Sequence, residues 1–229
     1  MASKQAVPRD RLRKRALEGH ALKPLTPTFL YFDLGNVVLP FDYLIAIRQM
    51  AELAGVSDAE IQQIVFDSGL ETAYECGALT TLQFYEAFCE QTGKRPDLDG
   101  LLVASSDMFQ ADETVVDLIL RLRGFGYRTG LLSNTCEAHW QFCVKQKFPF
   151  LAQLFEVTAL SYELGAMKPD AAIFQAAARL AGVAPAEIFF VDDRPEHVEG
   201  ACRAGFDAVL FTGVADLIAA LVQRGVRVS

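Results

Sequence analysis

IFFVDDRPEHVEGACRAGFDAVLF, residues 188–211, decides how the chain folds. Residues 188–191 form a short apolar run rich in aromatic and β-branched side chains, which predicts a buried strand. Residues 195–204 predict a helix opened by Pro195, and residues 208–211 predict a second strand. Two strands joined through a helix make a crossover unit, and such units join parallel strands. The same alternation continues upstream: strands at 128–132 and 157–160, helices at 113–123, 137–146 and 170–181. A helix at 214–224 closes the chain. The expected fold class is α/β, a doubly wound parallel sheet with helices on both faces.

FLYF, residues 29–32, predicts the first strand. The block after it reads as helix only. Residues 43–54 carry apolar side chains at helical spacing, and Gly55 ends them. Ser57 with Glu60 forms a capping-box pattern for a helix reaching Asp67. Thr80 or Thr81 opens a helix that Gly93 stops, and residues 97–109 predict a fourth. This block breaks into the alternation, so it predicts an inserted all-helical cap over 43–110. A core of 28–42 and 111–229 and a basic N-terminal extension of 1–27 complete the division.

Composition bounds the partners. Apolar residues make 52% of the 229 and charged residues 22%, which excludes wholesale disorder. The extension carries seven basic against two acidic residues, which leaves −13 on the rest of a chain of net charge −8. An acidic body argues against nucleic acid as partner. The longest run free of Asp, Glu, Lys and Arg is ten residues, half of what a membrane span needs. Five scattered cysteines without a CxxC pair read as reduced thiols in a cytoplasmic protein, and zinc spacing is absent. A monomer or a homodimer is expected.

In an open parallel sheet, ligands bind beyond the carboxyl ends of the strands. The residues there are Asp33-Leu34-Gly35-Asn36, Ser133-Asn134-Thr135, Lys168-Pro169 and Asp192-Asp193-Arg194. Singly, each has a structural reading as a turn, a helix cap or a solvated loop. Together, on one rim, they suit phosphoryl transfer. A carboxylate can attack phosphorus to give an aspartyl-phosphate. Clustered carboxylates suit Mg²⁺. A hydroxyl with amides at a helix start holds phosphate oxygens, and a lysine offsets charge.

FDLGNVV, LLSNT, MKPD and FFVDDRPEHVEGA resemble the four motifs of the haloacid dehalogenase superfamily, over about residues 28–229. The cap placed after the first strand is similar to its C1-capped branch, and the resemblance implies a Rossmann-like core. It implies Asp33 as nucleophile and Lys168 as the motif-three lysine. Ser133, Asn134 and Lys168 would bind phosphate. Asp33, the backbone carbonyl of Gly35 and Asp193 would hold Mg²⁺, with Asp192 supporting. Two positions depart from the pattern. Gly35 stands where most of the family's phosphatases carry a second Asp that protonates the leaving group, and His197 stands where relatives often have Asn or Asp. Asp42 could stand in as the acid or cap the helix from Tyr43.

The expected function is a Mg²⁺-dependent phosphatase of a small phosphate ester. DLGNV resembles a bacterial group that includes α-glucose-1-phosphate phosphatases, so sugar 1-phosphates are the finer expectation: a hemiacetal oxygen leaves with little protonation. A haloacid dehalogenase, which needs no metal, a phosphonate-cleaving enzyme, which would need a cap lysine such as Lys94, and an inactive binding protein are the alternatives. Arg48, Tyr74, Tyr85 and Phe109 are the candidate substrate contacts from the cap. His139 reads as a helix-surface residue, with substrate contact the alternative, and Cys136 as packing.

Overall fold

A computed structural model describes residues 26–229. The basic extension falls outside the described residues except for its last two. Five parallel strands form one sheet: β1 Phe29–Phe32, β2 Arg128–Ser133, β3 Val157–Leu160, β4 Ile188–Asp192 and β5 Asp207–Leu210. Their order is β3-β2-β1-β4-β5, which places the first strand at the centre. Every residue of β1 and β4 is buried, which is why both read as unbroken apolar runs.

Successive side chains of a strand point to opposite faces, and each face has its own cover. Leu30, Phe32, Leu131, Phe189 and Val191 pack on one side with α6 (Glu113–Gly124) and α12 (Val214–Gln223). Phe29, Tyr31, Leu132, Ile188 and Phe190 face α10 (Ala171–Ala181). There the Tyr31 hydroxyl donates to the Ala177 carbonyl at 2.9 Å. This is the doubly wound arrangement expected.

Between β1 and α6 lie five helices: α1 Tyr43–Ala54, α2 Asp58–Ile61, α3 Leu70–Glu75, α4 Thr81–Thr92 and α5 Leu98–Ser106. Asp42 accepts from the Leu44 N–H and so caps α1. Ser57 and Glu60 form the capping box that opens α2, which widens into a π-helical stretch, Gln62–Asp67. The chain enters and leaves this block through one neck. Phe41 bridges antiparallel to Phe109, and Gln110 and Asp112 donate to the Pro40 and Val38 carbonyls at 2.8 and 3.0 Å. That neck is why the last predicted helix ends at Ser106 rather than 109. The six-residue α3 lies between Gly69 and Gly77, too short for a periodic signal.

Three ties fix α3 to the core. The Tyr74 hydroxyl accepts from the Ala138 N–H at 3.0 Å. Ser161 Oγ donates to the Glu75 carbonyl at 2.6 Å and accepts from the Thr135 N–H at 2.9 Å. At Gly77, φ +74, an added Cβ would lie 2.2 Å from the Tyr162 carbonyl oxygen. On the core side, α7 (Glu137–Phe142) follows β2 and packs against α5. The remaining core helices are α8 Leu151–Leu154, α9 Ser161–Leu164 and α11 Pro195–Arg203.

Candidate active site

The carboxyl ends of β1, β2 and β4 open on a cavity of about 410 Å³. Asp33, Gly35, Ser133, Asn134, Lys168 and Asp193 all line it, so the structure brings these predicted residues together. Asp192 lies beneath, fully buried.

Asp33 extends β1 by donating its N–H to the Val191 carbonyl at 3.0 Å. Its Oδ1 lies 2.8 Å from Lys168 Nζ. The same ammonium reaches Asp192 Oδ2 at 2.6 Å and the Leu132 carbonyl at 3.0 Å. Burial opposes the lysine's charge, but Asp33 and Asp192 outweigh it and raise the lysine's pKa above its ordinary value. The two carboxylates then part. Burial disfavours ionised Asp192, yet Lys168 and His197 hold its pKa down at about 2. Burial pushes the Asp33 carboxyl up to about 7, against the pull of Lys168. Asp192 also accepts from the Arg194 N–H at 2.9 Å and contacts His197 Nδ1 at 3.0 Å. It is the lysine's standing counter-ion. Asp33 is the carboxylate that opens on the cavity.

Asn134 does something the sequence did not announce. Its side-chain amide is spent on the main chain of Lys168: Nδ2 donates to the carbonyl at 3.0 Å, and Oδ1 accepts from the N–H at 2.8 Å. The side chain therefore positions the lysine and leaves only the main chain of Asn134 for a phosphate. The Thr135 and Ala138 amides are taken by Ser161 and Tyr74. Ser133 stays at the cavity wall, its hydroxyl donating only to the adjacent Asn134 carbonyl at 3.3 Å.

Asn36 holds φ 55, a left-handed conformation that Asn tolerates better than most residues. Its Nδ2 donates to Asp193 Oδ2 at 3.0 Å, which steers that carboxylate toward the end of β1. The adjoining turn is closed by Leu39 donating to Leu34 and Asn36 donating to Leu39, so the carbonyl of Gly35 takes no part in it. Asp33, that carbonyl and Asp193 make a set of hard oxygen donors, the kind Mg²⁺ takes. A second grouping, Asp33, Asp192 and His197, has donor atoms within 4.8 Å of one another. Lys168 already supplies the cation between its two carboxylates.

At Gly35 an added Cβ would lie 2.7 Å from Phe41 Cε1. The Phe41 ring is itself held edge-on by Tyr43 and Phe109, with centroids 4.7 and 5.6 Å away. An aromatic cluster thus fills the room a side chain at position 35 would need. Asp42, spent on its helix cap and outside the cavity lining, does not replace it.

Of the cap residues singled out, Phe109 lines the cavity. Tyr74 is buried against Phe84, and Tyr85 donates to the Pro96 carbonyl instead. Arg48 is exposed and away from the cavity lining. His139 is 5% exposed and lines the cavity, contrary to the helix-surface reading, because α5 packs on its side of α7. Burial lowers its pKa to about 4. Glu71 and Glu75 also line the cavity. They sit four residues apart on α3, one helical turn, with carboxylate oxygens and a His139 nitrogen within 4.8 Å of one another. Sequence reasoning passed over them because α3 was not anticipated; two acids at that spacing between two glycines were the available signal.

A family model for haloacid dehalogenase-like hydrolases matches residues 32–205. The chain is similar to D-ribitol-5-phosphate phosphatase of Bacteroides thetaiotaomicron, 27% identical over 184 residues, covering 78% of this chain and 88% of that protein. It is also similar to glyceraldehyde 3-phosphate phosphatase of Methanopyrus kandleri, 32% identical over 97 residues, covering 42% of this chain and 40% of that protein. A solved HAD family enzyme from Bacteroides thetaiotaomicron, in complex with magnesium and inorganic phosphate, aligns with TM-score 0.73 at 29% identity, covering 80% of this chain and 93% of that one. L-2-haloacid dehalogenase from Xanthobacter autotrophicus shares the fold, with TM-score 0.58 at 17% identity, covering 89% of each chain. Since the matched stretch runs from the last residue of β1 past the end of α11 and contains every group gathered on the rim, the chain belongs to the haloacid dehalogenase-like hydrolase family.

Proposed function

We propose that the protein is a Mg²⁺-dependent phosphatase of small phosphorylated metabolites, with Asp33 as nucleophile. One observation carries the reading: the Asp33 carboxylate, 2.8 Å from a buried lysine, opens on a cavity whose other walls offer a hydroxyl and a second carboxylate. The ester's phosphorus meets Asp33 Oδ, the alcohol departs, and water then cleaves the aspartyl-phosphate to release inorganic phosphate. Ser133 holds a phosphate oxygen beside Asp33, and Lys168, whose three N–H groups go to Asp33, Asp192 and the Leu132 carbonyl, offsets the phosphate's charge. Asp192 keeps Lys168 charged and aimed, and Asn134 fixes its backbone. Asp33, the Gly35 carbonyl and Asp193, with Asn36 steering the last, would hold the metal. Bound there, Mg²⁺ offsets the repulsion between carboxylate and phosphate and draws the Asp33 pKa down.

Two named phosphatases of small phosphate esters among the relatives support this class over a dehalogenase. So does the second carboxylate, Asp193, for which a metal-free attack on carbon has no use. The helical block 43–110 acts as the C1-type cap that closes the cavity. A sugar or polyol phosphate is the substrate class, and sugar 1-phosphates are the finer reading, resting on the resemblance of the DLGNV motif.

Phosphate release from p-nitrophenyl phosphate tests the class. Turnover should require Mg²⁺, stop with a chelator and vanish in Asp33→Asn. Silence of the wild type across aryl, sugar 1-phosphate and polyol phosphate esters would sink the phosphatase reading and favour a binding protein.

A further inference from the structure

Position 35 cannot hold a leaving-group acid, because Phe41 occupies its space. Of the other carboxylates lining the cavity, Asp33 is held by Lys168, Asp193 by Asn36, and Glu196 is paired with Arg194. Glu71 and Glu75 remain, contributed to the cavity by α3 of the helical block, and among the described residues neither carboxylate accepts a hydrogen bond. Glu75 is the better placed of the two. Its carbonyl is pinned through Ser161 to Thr135, two residues beyond Ser133, so its backbone is fixed relative to the phosphate-facing loop. The charges of Lys168 and Arg194 also reach it, and neither figures at Glu71.

We propose that Glu75, rather than a residue of the nucleophile loop, is the general acid and base of this enzyme. The proposal rests on the phosphatase reading above. As the Asp33 Oδ–P bond forms and the P–O bond to the alcohol breaks, the Glu75 carboxyl gives its proton to the departing oxygen and becomes a carboxylate. In the second step that carboxylate takes a proton from the attacking water. The aspartyl P–O bond then breaks, and Asp33, inorganic phosphate and protonated Glu75 are restored.

The surroundings keep that proton available. Burial pushes the Glu75 carboxyl up to about 7, against the pull of Lys168 and Arg194. Burial and the charge of Glu75 hold Glu71 well above the carboxylate range. Tyr43, Cys136 and His139 are the other titratable groups facing the pair, and all three are kept neutral by burial near pH 7. An acid with a pKa near the working pH serves both directions of transfer.

The test compares Glu75→Gln with wild type on glycerol phosphate and on p-nitrophenyl phosphate. An alkoxide needs protonation and nitrophenolate does not. The expected kcat loss on glycerol phosphate is about 10²–10⁴-fold, the usual contribution of a general acid. On p-nitrophenyl phosphate, rapid mixing should show a burst of close to one equivalent of nitrophenolate followed by slow turnover, because phosphorylation proceeds while hydrolysis has lost its base. The high-pH limb near 7 in the wild-type alkyl profile should disappear, and Glu75→Asp should recover part of the rate. Equal losses in the burst phase and on the alkyl ester, no loss on the alkyl ester, or transfer of the whole effect to Glu71→Gln would each overturn the assignment. Asp33→Asn reads separately: if wild-type turnover depends on Asp33 while Glu75→Gln behaves as wild type, only the role of Glu75 fails.

Discussion

Lys168 shows how much one residue contributes. Its stem is buried, and its ammonium neutralises two carboxylates that could not otherwise lie together away from water. Lys168→Met should therefore do two things. It should remove catalytic turnover by taking charge away from both the nucleophile and the phosphate. It should also destabilise the fold by about 3–5 kcal/mol at neutral pH, the range for orphaning a buried charge. Urea unfolding monitored beside the phosphatase assay checks both, and a variant of wild-type stability would mean that Asp33 and Asp192 are relieved by water instead. At this scale the sequence was legible for Asp33, Ser133, Lys168 and Asp193, since each stands close behind an apolar run. It was silent about Asn134 and Asn36, whose partners, Lys168 and Asp193, lie 34 and 157 residues away.

The element that matters most is the least conspicuous. Helix α3 has six residues, carries two cavity carboxylates and is fastened to the core at Tyr74, Glu75 and Gly77. Gly77→Ala should cost about 2–5 kcal/mol, since it adds overpacking of about 1–3 to a left-handed conformation costing about 1–2. Thermal unfolding measures this, and a loss under about 0.5 kcal/mol, the ordinary surface value, would show that the contact with Tyr162 relaxes freely. The long helices were predicted within a few residues because their apolar faces repeat every turn. A single turn has no period to read, so its place is set by the groups it is bonded to.

For the whole molecule, a cavity built to hold protonatable carboxyls leaves its mark on stability. The folded-state pKa of Glu75 is raised to about 7 from an ordinary value near 4.5. Below the lower value both states are protonated, and folding bears no penalty. As pH rises through about 7 the native state must bury a charge that the unfolded chain carries in water, so this part of the stability is lost. Glu75→Gln should accordingly raise the melting temperature at pH 8 and leave it little changed at pH 5. A gain of the same size at both values would assign the effect to packing and not to charge. Residues that serve chemistry are commonly held at such a cost. Among the described residues, no helix is long and apolar enough to cross a membrane.

By itself the sequence determined the sheet, its parallel sense and the identity of the groups on its rim, because strand period, helix period and the residue after each strand are local properties of the chain. Tertiary structure decided which groups are free to react. Asp33 and Asp192 are both acidic residues at strand ends, and only burial between a lysine and a histidine makes one of them a fixed counter-ion. Glycine at position 35 reads as a missing acid until the Phe41 ring is seen in that space. Glu71 and Glu75 gain a place at the cavity only once their short helix is tied to the core. Charge, access and protonation depend on neighbours brought from far along the chain, and no local pattern encodes them.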